Sequence, residues 1–526
     1  MEALHVYDTT LRDGAQQEGL NLSVSDKLAI AGLLDELRVD FIEGGWPGAN
    51  PKDTEFFERA KHELTLEHAT LAAFGSTRRA GSSAAEDQLV QALLEAGTSV
   101  VCLVAKSHVR HVEEALRTTL EENLEMIRDT VSHLVAQGRR VFLDAEHFFD
   151  GWHLDRDYAL RVVRTAHEAG AEVVVLCDTN GGMLPHQVEQ VVTDVIASTG
   201  ARVGAHCHND TGCAAANSVA AVRAGATHVQ GTVNGYGERT GNADLLTVAA
   251  NLQFKLGLDA LEPDAFRQAM PIAHAISEVT NVPAYSRQPY VGASAFAHKA
   301  GLHASALKVD PDLYQHMDPS LVGNGMRTLV SDMAGRASIE LKAREAGLDV
   351  ASRPEVVASV LAEVKDLELQ GWTFDAADAS VELMLRRAVE PGCTDYFAVE
   401  SWRVITEASG SGEAMSEATV KLHADGRRTV ATGEGNGPVN ALDHALRQAI
   451  AVAYPEIEKL ELIDFKVRIL DASHGSDAVT RVLIETSDGE TSWNTIGVAA
   501  NIIEASWSAL VDGLVHGLIR QGVPIR

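Results

Sequence analysis

Short apolar runs alternate with amphipathic stretches through the first half of the chain. Each apolar run is rich in β-branched or aliphatic residues and ends in a polar or glycine-rich turn, as buried parallel strands do. In the amphipathic stretches the apolar residues recur every three or four positions, which predicts helices. In Ser25–Leu37, for example, Leu33 and Leu37 share a face, and Ser25 is the expected N-cap. The predicted strands are Leu4–Tyr7, Val39–Ile42, Thr70–Phe74, Ser99–Val104, Arg140–Leu143, Glu172–Cys177, Arg202–Ala205 and His228–Val233.

Eight strand–helix pairs fit into roughly 255 residues, which is the size and rhythm of a (β/α)8 TIM barrel. We therefore predict an α/β fold with a barrel over residues 1–270. A doubly wound open sheet is the alternative, and it would need a glycine-rich phosphate turn after its first strand. Asp8–Gly14 (DTTLRDG) is not such a turn.

The alternation of strands and helices stops after about residue 270. Residues 271–330 are interrupted by prolines, and residues 331–390 have helical patterns, so we predict a linker and helical subdomain over 271–390. Strands return from about residue 395, with helices predicted at Val439–Ala453 and Ile496–Leu518. The last segment, 391–526, is predicted to be an α+β domain of its own.

Composition and charge exclude several kinds of partner. The formal net charge is -30, whereas nucleic-acid binding needs clustered Lys and Arg for the phosphates. The same charge disfavours anionic membrane surfaces. No apolar run reaches the roughly 20 residues that span a bilayer, and the N-terminus has no basic region followed by an apolar stretch. We expect a cytoplasmic protein that binds neither nucleic acid nor membranes, with its five cysteines reduced.

Polar side chains gather where the predicted strands end, and the C-terminal strand ends carry the active site in barrels of this kind. Asp13 follows the first strand, and His206 and His208 end the seventh. Residues two apart in a strand point to the same side, so both imidazoles can bind one metal ion. A carboxylate and two imidazoles leave coordination positions open, which is typical of a catalytic site, and Asn242 adds a candidate oxygen ligand. Two structural histidines on one strand face are the alternative.

Arg12, beside Asp13, is the second candidate for chemistry. A guanidinium next to a metal ion suits a developing oxyanion, because both stabilise negative charge on one oxygen. An Arg–carboxylate pair that only closes the barrel mouth is the alternative. The other polar residues at strand ends are Glu43, Asp144, Glu146, His147, Asp178, Thr179, Asn180, Asn209, Asp210, Asn234, Glu238 and Arg239.

Two long motifs resemble signatures of a known enzyme family. DTTLRDGAQQEG (8–19) and the stretch from HCHNDTG to GERTGN (206–242) resemble those of the enzymes that condense acetyl-CoA with an α-keto acid, the 2-isopropylmalate, homocitrate and citramalate synthases. IEGGWPGANPKD (42–53) and DAEHFFDGW (144–152) are most similar to the long bacterial citramalate synthases. GNGPVNALDHAL (435–446) resembles the regulatory domain of isopropylmalate and citramalate synthases. The resemblance covers essentially the whole chain.

The resemblance implies roles for further residues. Arg12 is implied to polarise the keto oxygen, and Thr179 to hold the carboxylate of the keto acid. Glu146 is implied to lie near the acyl-CoA. His303 and Tyr314, after the barrel, are implied to reach into the site and assist proton transfer.

One divalent metal ion, Mn, Mg, Zn or Co, is implied to bind Asp13, His206 and His208, with Asn242 completing the set. The implied reaction condenses acetyl-CoA with pyruvate and water to give (R)-citramalate and CoA, the first step of the pyruvate route to isoleucine. A 2-isopropylmalate synthase acting on 3-methyl-2-oxobutanoate is one alternative. A CoA-independent metal-dependent aldolase or lyase is another, and a non-catalytic metabolite sensor is a third.

The C-terminal domain is implied to be regulatory and allosteric. Because the implied pathway leads to isoleucine, isoleucine is the expected feedback effector. A homodimer is also expected from the resemblance.

Overall fold

The first half of the chain closes into a barrel of eight parallel strands. The computed structural model describes residues 3–408, 414–470 and 478–526. Strand order around the barrel follows chain order, and the first strand pairs with the eighth. This confirms the predicted (β/α)8 barrel, and the doubly wound alternative is wrong. The strands are β1 (His5–Asp8), β2 (Phe41–Glu43), β3 (Thr70–Ser76), β4 (Val100–Lys106), β5 (Arg140–Glu146), β6 (Val173–Asp178), β7 (Val203–Cys207) and β8 (His228–Gly231).

Helices connect these strands on the outside of the barrel, as right-handed parallel crossovers require. The predicted N-cap of the first helix is wrong, because Ser23 and not Ser25 begins it. Ser23 Oγ accepts a hydrogen bond from the Asp26 N–H, and the Asp26 carboxylate accepts one from the Ser23 N–H, which is a capping box. The helices are α1 (Val24–Glu36), α2 (Pro51–Glu63), α3 (Gln88–Glu95), α4 (Leu120–Ala136), α5 (Phe148–Leu154), α6 (Arg156–Glu168), α7 (Pro185–Thr199), α8 (Ala214–Arg223) and α9 (Leu245–Leu256).

The barrel interior is filled by side chains and is not a channel. Tyr7, Phe41, Phe142 and Val175 are buried there, and the Phe41 and Phe142 rings meet edge to face with centroids 5.1 Å apart. Filling the base of the barrel in this way leaves the polar residues at the C-terminal strand ends as the floor of a cleft.

Two compact units make up the chain, residues 1–296 with 319–325 and residues 297–318 with 326–526. The domain divisions predicted at residues 270 and 390 stay predictions. Two more helices complete the first unit, α10 (Pro263–Phe266) and α11 (Ala269–Thr280). The second unit begins with two short strands and four helices, β9 (Ala297–His298), α12 (Gly301–Val309), β10 (Arg327–Thr328), α13 (Arg336–Glu345), α14 (Pro354–Leu369) and α15 (Asp378–Val389).

The C-terminal part of the second unit repeats a pattern of three antiparallel strands followed by a helix. The prediction of one helix over Ile496–Leu518 is wrong at its start, because residues 492–499 form a strand. Ile496 pairs with Leu483 there, and the helix begins only at Ile502. The elements are β11 (Ala398–Ala408), β12 (Ala414–Ala424), β13 (Arg427–Gly435), α16 (Pro438–Ala451), β14 (Glu461–Ile469), β15 (Thr480–Ser487), β16 (Ser492–Ala499) and α17 (Ile502–Arg520).

Of the described residues, α17 alone is long and apolar enough to pass a length-and-composition test for a membrane span. This helix packs on β15 and β16. Leu510, Leu514 and Leu518 are buried in the core of the C-terminal domain. A core helix of a soluble domain has the same composition, so the test adds no evidence for a membrane partner.

Candidate metal centre

A tight turn after β1 places Arg12 and Asp13 at the barrel mouth. The carbonyl oxygen of Thr9 accepts hydrogen bonds from the backbone N–H groups of Asp13 (2.9 Å) and Gly14 (3.0 Å). The N–H of Thr9 donates to the carbonyl of Gly231, the last residue of β8. The turn is therefore tied to the rim of the closed barrel, which fixes the direction of the Asp13 side chain.

Asp13, His206 and His208 bring three ligand atoms together at this point. The Nε2 atoms of the two imidazoles are 3.3 Å apart, and Asp13 Oδ2 lies 3.1 Å from that of His206 and 3.6 Å from that of His208. All three side chains are buried. Ligands held about 2.0–2.2 Å from one ion are separated by roughly 3–3.5 Å, so the three atoms fit around a single ion. The structure thus brings together the three residues that the sequence singled out.

Asn242 joins this group from the loop after β8. Its Nδ2 lies 2.6 Å from Asp13 Oδ2, while its Oδ1 is buried with no hydrogen-bond partner among the described residues. A 180° turn of the amide would direct that oxygen to the same centre. Gly237 permits the close approach, because a Cβ there would lie 2.1 Å from Asn242 Oδ1. A carboxylate, two imidazoles and an amide oxygen are a donor set that fits a divalent ion.

The charges in the group favour the metal-binding forms of Asp13 and His208. Burial raises the pKa of Asp13, but Arg12 and the two imidazoles outweigh burial and hold that pKa well below its ordinary value. Burial and the neighbouring His206 lower the pKa of His208 to about 4. Carboxylate and neutral imidazole are the ligating forms. Burial lowers the pKa of His206 too, but Asp13 raises it overall, so a metal ion would compete with a proton for this imidazole.

Arg12 is held rigidly beside the metal ligands. Its Nε donates to Glu43 (2.6 Å) and one terminal nitrogen donates to Asp13 (2.9 Å), while the guanidinium lies 3.8 Å from the centroid of the Phe74 ring. Glu43 also accepts hydrogen bonds from Tyr7 (2.7 Å) and Thr9 (2.6 Å). Burial lowers the pKa of Arg12, but the Glu43 and Asp13 charges outweigh burial and raise it. The site therefore carries a fixed positive charge suited to an oxyanion.

Glu146 ends β5 and forms an ion pair with Lys106, which ends β4. Both side chains are about one quarter exposed, at 25% and 24%. Lys106 was not predicted as a site residue, because the fourth strand was expected to end at Val104 and it continues to Lys106. Lys106 therefore adds a cation at the barrel mouth beside Glu146.

Thr179, after β6, keeps a hydroxyl proton available. Its Oγ1 accepts a hydrogen bond from the His147 N–H (2.9 Å), and a hydroxyl that accepts can still donate. Its carbonyl accepts from Arg239 (2.8 Å), which also pairs with Asp210 at 2.8 and 2.9 Å. One hydrogen bond to its side chain and one to its carbonyl group therefore hold the partly exposed Thr179 in place.

His303 and Tyr314 belong to the second unit. His303 lies in α12, and its ring stacks on that of Tyr314 with centroids 4.2 Å apart. Tyr314 is 40% exposed. The structure therefore brings these two residues to each other, and their predicted reach into the barrel mouth stays a prediction.

The C-terminal domain contains a pocket of about 810 Å³ beside the N-terminus of α16. On one wall Arg447 Nε lies 2.8 Å from both carboxylate oxygens of Asp443. Val439, Leu462 and Phe465 supply apolar lining, so the pocket offers charges of both signs beside an apolar surface.

Sequence profiles of three described families match consecutive parts of the chain. The HMGL-like profile matches residues 3–271. The profile described as a homocitrate synthase post-HMGL domain-like segment matches residues 290–371. The LeuA allosteric (dimerisation) domain matches residues 375–518. The barrel, the helical segment and the C-terminal domain are thus each similar to a known domain.

Whole-length relatives give the same picture. The chain is 63% identical to the (R)-citramalate synthase of Streptomyces coelicolor, over 99% of this chain and 98% of that protein. It is 48% identical to the (R)-citramalate synthase of a Synechocystis species, over 98% and 96%. Among solved structures, the HMG-CoA lyase of Bacillus subtilis is 20% identical with a TM-score of 0.46, covering 55% of this chain and 97% of that one.

Proposed function

The chain belongs to the HMGL-like family and, within it, to the (R)-citramalate synthases, and on this premise we propose that it condenses acetyl-CoA with pyruvate and water to give (R)-citramalate and CoA. The observation that carries the proposal is the 63% identity to a citramalate synthase over nearly the whole of both chains. The barrel mouth supports it, because a metal-ligand set there stands beside a fixed guanidinium.

We assign the metal site to Asp13, His206 and His208, with Asn242 as a further ligand. When bound, the ion supplies a Lewis acid for the keto group of the substrate. Carboxylate and imidazole ligands together suit Mn²⁺, Co²⁺, Zn²⁺ or Mg²⁺, and the donor set alone does not choose among them.

Arg12 and Thr179 are assigned to pyruvate. The Arg12 guanidinium, fixed by Glu43 and Asp13, stabilises the negative charge that develops on the keto oxygen during attack. The Thr179 hydroxyl donates to the pyruvate carboxylate. Both residues border the same mouth, so a small keto acid is held at both ends.

The acetyl methyl group has to lose a proton before it can attack. We assign this step to His303 with Tyr314, because a neutral imidazole suits proton transfer near pH 7 and the two rings are stacked. The methyl carbon then bonds to the keto carbon, and the keto oxygen takes up a proton. Water cleaves the thioester to a carboxylate and CoA. Glu146, paired with Lys106 at the rim, is assigned to the acyl-CoA side.

Turnover with a panel of keto acids tests the assignment. The enzyme receives acetyl-CoA and one keto acid at a time, and a thiol reagent measures free CoA. Pyruvate should give the highest kcat/KM, with slower turnover of 2-oxobutyrate, because an apolar pocket separates one methylene by only about 1–3 kcal/mol. A preference for 3-methyl-2-oxobutanoate would point to 2-isopropylmalate synthase. Absence of CoA release with every acid would point to the CoA-independent aldolase or lyase.

The C-terminal pocket is the proposed effector site, and isoleucine is the proposed effector. The matched LeuA domain indicates allosteric regulation. A free amino acid needs a partner for each of its charges and an apolar surface for its side chain. Asp443, Arg447 and the first turn of α16, which has no side-chain cap, supply the charge partners. Leu462 and Phe465 supply the apolar surface. Calorimetry of the full chain with isoleucine, leucine and valine checks the choice, and isoleucine should bind most tightly.

The LeuA profile also indicates that the chain dimerises. We propose a homodimer that works in the cytoplasm, where the five cysteines, none of them in a disulfide, remain reduced. Light scattering should give a mass near twice 56.2 kDa. A monomer at micromolar concentration would contradict the homodimer.

A further inference from the structure

Gln230 stands directly behind one of the candidate metal ligands, inside the barrel. It lies on β8, opposite His206 of β7 in the parallel pairing, and is 1% exposed. Its Oε1 accepts a hydrogen bond from His206 Nδ1 at 2.8 Å. Its Nε2 donates to Oδ1 of Asp144, on β5, at 3.0 Å. The side chain thus links the metal group to a buried carboxylate three strands further round the barrel.

The two ends of this amide are chemically different, and that difference fixes the state of His206. The Asp144 carboxylate can only accept, so the NH₂ end of Gln230 has to face it. The carbonyl end then faces His206, whose Nδ1 must carry the hydrogen. In this neutral tautomer the lone pair belongs to Nε2, which is directed at the point where the three ligand atoms converge.

The second imidazole has no such support. His208 Nδ1 is buried and has no hydrogen-bond partner among the residues that the structure describes. Cys102 is a different kind of neighbour, because its thiol donates to the same Asp144 oxygen (3.3 Å) and lies 4.0 Å from Gln230 Nε2, and no hydrogen bond joins it to His206 among the described residues. Of these buried neighbours, Gln230 is therefore the one that connects Asp144 to an imidazole.

We propose that Gln230, held by Asp144, is a positioning residue for the metal centre that selects the Nδ1–H tautomer of His206 and aims its Nε2 at the ion. The inference rests on the proposed metal site and adds two residues to it. Groups that hold the outer nitrogen of a metal-binding histidine typically account for about 10–100-fold in metal affinity.

The first test replaces Gln230 by methionine, which preserves the length of the side chain but removes both hydrogen bonds. Mn²⁺ affinity of the full chain, measured by calorimetry, should fall about 10–100-fold. Cys102→Ala is the matched control, because it removes the thiol contacts with Asp144 (3.3 Å) and with Gln230 Nε2 (4.0 Å) but leaves both ends of the Gln230 amide paired with Asp144 and His206, and it should bind Mn²⁺ as the wild type does. Wild-type affinity in Gln230→Met would overturn the proposal.

The second test reverses the polarity of the pair. Gln230→Glu alone places two carboxylates together and should weaken Mn²⁺ binding. When Asp144→Asn is added, the new amide NH₂ at position 144 can donate to the new carboxylate at position 230, and the pair carries one negative charge as in the wild type. Mn²⁺ binding should then return to the wild-type level or better. A double variant that binds Mn²⁺ no more tightly than Gln230→Met would refute the role of the pair.

The melting temperature, measured with and without Mn²⁺, gives a second measure of Mn²⁺ affinity. The shift that Mn²⁺ causes depends on binding, so it can be compared between the wild type and a less stable variant. If Gln230→Met does not fold, the polarity reversal carries the test. The two levels of failure are distinguishable. A wild type that binds no Mn²⁺, or equal binding by Asp13→Asn, would remove the metal site itself, whereas a wild type that binds no better than Gln230→Met would remove only the positioning role.

Discussion

The candidate metal group at the barrel mouth is buried and already paired, whereas the pocket beside α16 is open and lined by both polar and apolar side chains. Asp13 is 5% exposed and contacts Arg12 and both imidazoles. In the pocket, Val439 and Leu462 are only partly buried. One site has its geometry fixed in advance, and the other leaves apolar surface for a ligand to cover.

The two architectures explain this difference. Parallel strands deliver their C-terminal ends to one place, so side chains from β1, β7 and β8 are positioned by hydrogen-bonded backbone. The pocket lies between a helix N-terminus and the edge strand β14, so side chains of separate elements line it. Damage at the barrel mouth should therefore abolish chemistry and spare effector binding, and damage in the pocket should do the reverse.

The largest effect is expected from Asp13→Asn. Losing the carboxylate removes a metal ligand, and since a Lewis acid is worth several kcal/mol, kcat/KM should fall by at least about 10³-fold. Isoleucine binding, measured by calorimetry, should be unchanged. Asp157→Asn, at an exposed carboxylate, is the control and should retain wild-type turnover. Normal turnover of Asp13→Asn would contradict a catalytic role for a metal ion bound by Asp13.

Arg12→Lys should have the next largest effect. Lysine keeps the charge but cannot reproduce the fork that contacts Glu43 and Asp13, so kcat should fall on the order of 10²-fold. The KM for acetyl-CoA should change much less, because Arg12 is assigned to the keto oxygen. Arg110→Lys, an exposed arginine on the same rim, is the matched control. A variant with altered KM and normal kcat would contradict the assignment.

Val439→Trp should have the opposite effect, because it should weaken inhibition by isoleucine and leave catalysis intact. A large ring at this position fills the effector pocket, so the isoleucine concentration for half-inhibition should rise at least about tenfold, equivalent to about 1.4 kcal/mol. Uninhibited kcat should stay at the wild-type value. Val452→Trp, just beyond α16 and 60% exposed, controls for the added ring. Undiminished inhibition in Val439→Trp would place the effector elsewhere.

The smallest effects should appear in the pH dependence of stability, with opposite signs in the two regions. Burial, opposed by hydrogen bonds from Thr10, raises the pKa of Asp8 to about 7. The folded barrel then binds a proton that the unfolded chain releases near pH 4, so this contribution is lost as pH rises from about 4 to about 7. Asp8→Asn should flatten the fall in melting temperature over that range.

In the second unit, burial raises the pKa of Glu382, but His516 and Arg386 outweigh burial and lower it to about 2. Stability from this group is therefore present above about pH 4.5 and is lost as pH falls towards 2. Glu382→Gln should reduce the acid sensitivity of melting below pH 4.5 and leave the range from 4 to 7 unchanged. Identical pH profiles for wild type and both variants would contradict the contrast between the regions.

Several elements were predictable because their signals are local. The apolar runs of β1 to β8 and the periodic helices between them specify a barrel, and the paired imidazoles of β7 follow from strand geometry. Residues 496–499 show the limit of this reasoning, because a short apolar run fits a helix or a strand equally well. Pairing of Ile496 with Leu483 on the preceding strand decides in favour of a strand, and the apolar run alone does not show that partner.

The sequence by itself determined the strand–helix rhythm, the family motifs and the residues that end each strand, since period and position relative to a turn are properties of neighbouring residues. Only the tertiary structure decided that Asn242 closes on Asp13, that Lys106 pairs with Glu146, and that Gln230 joins His206 to Asp144. Those contacts join strands and loops far apart in sequence, and barrel closure and the stagger of its strands set which side chains meet.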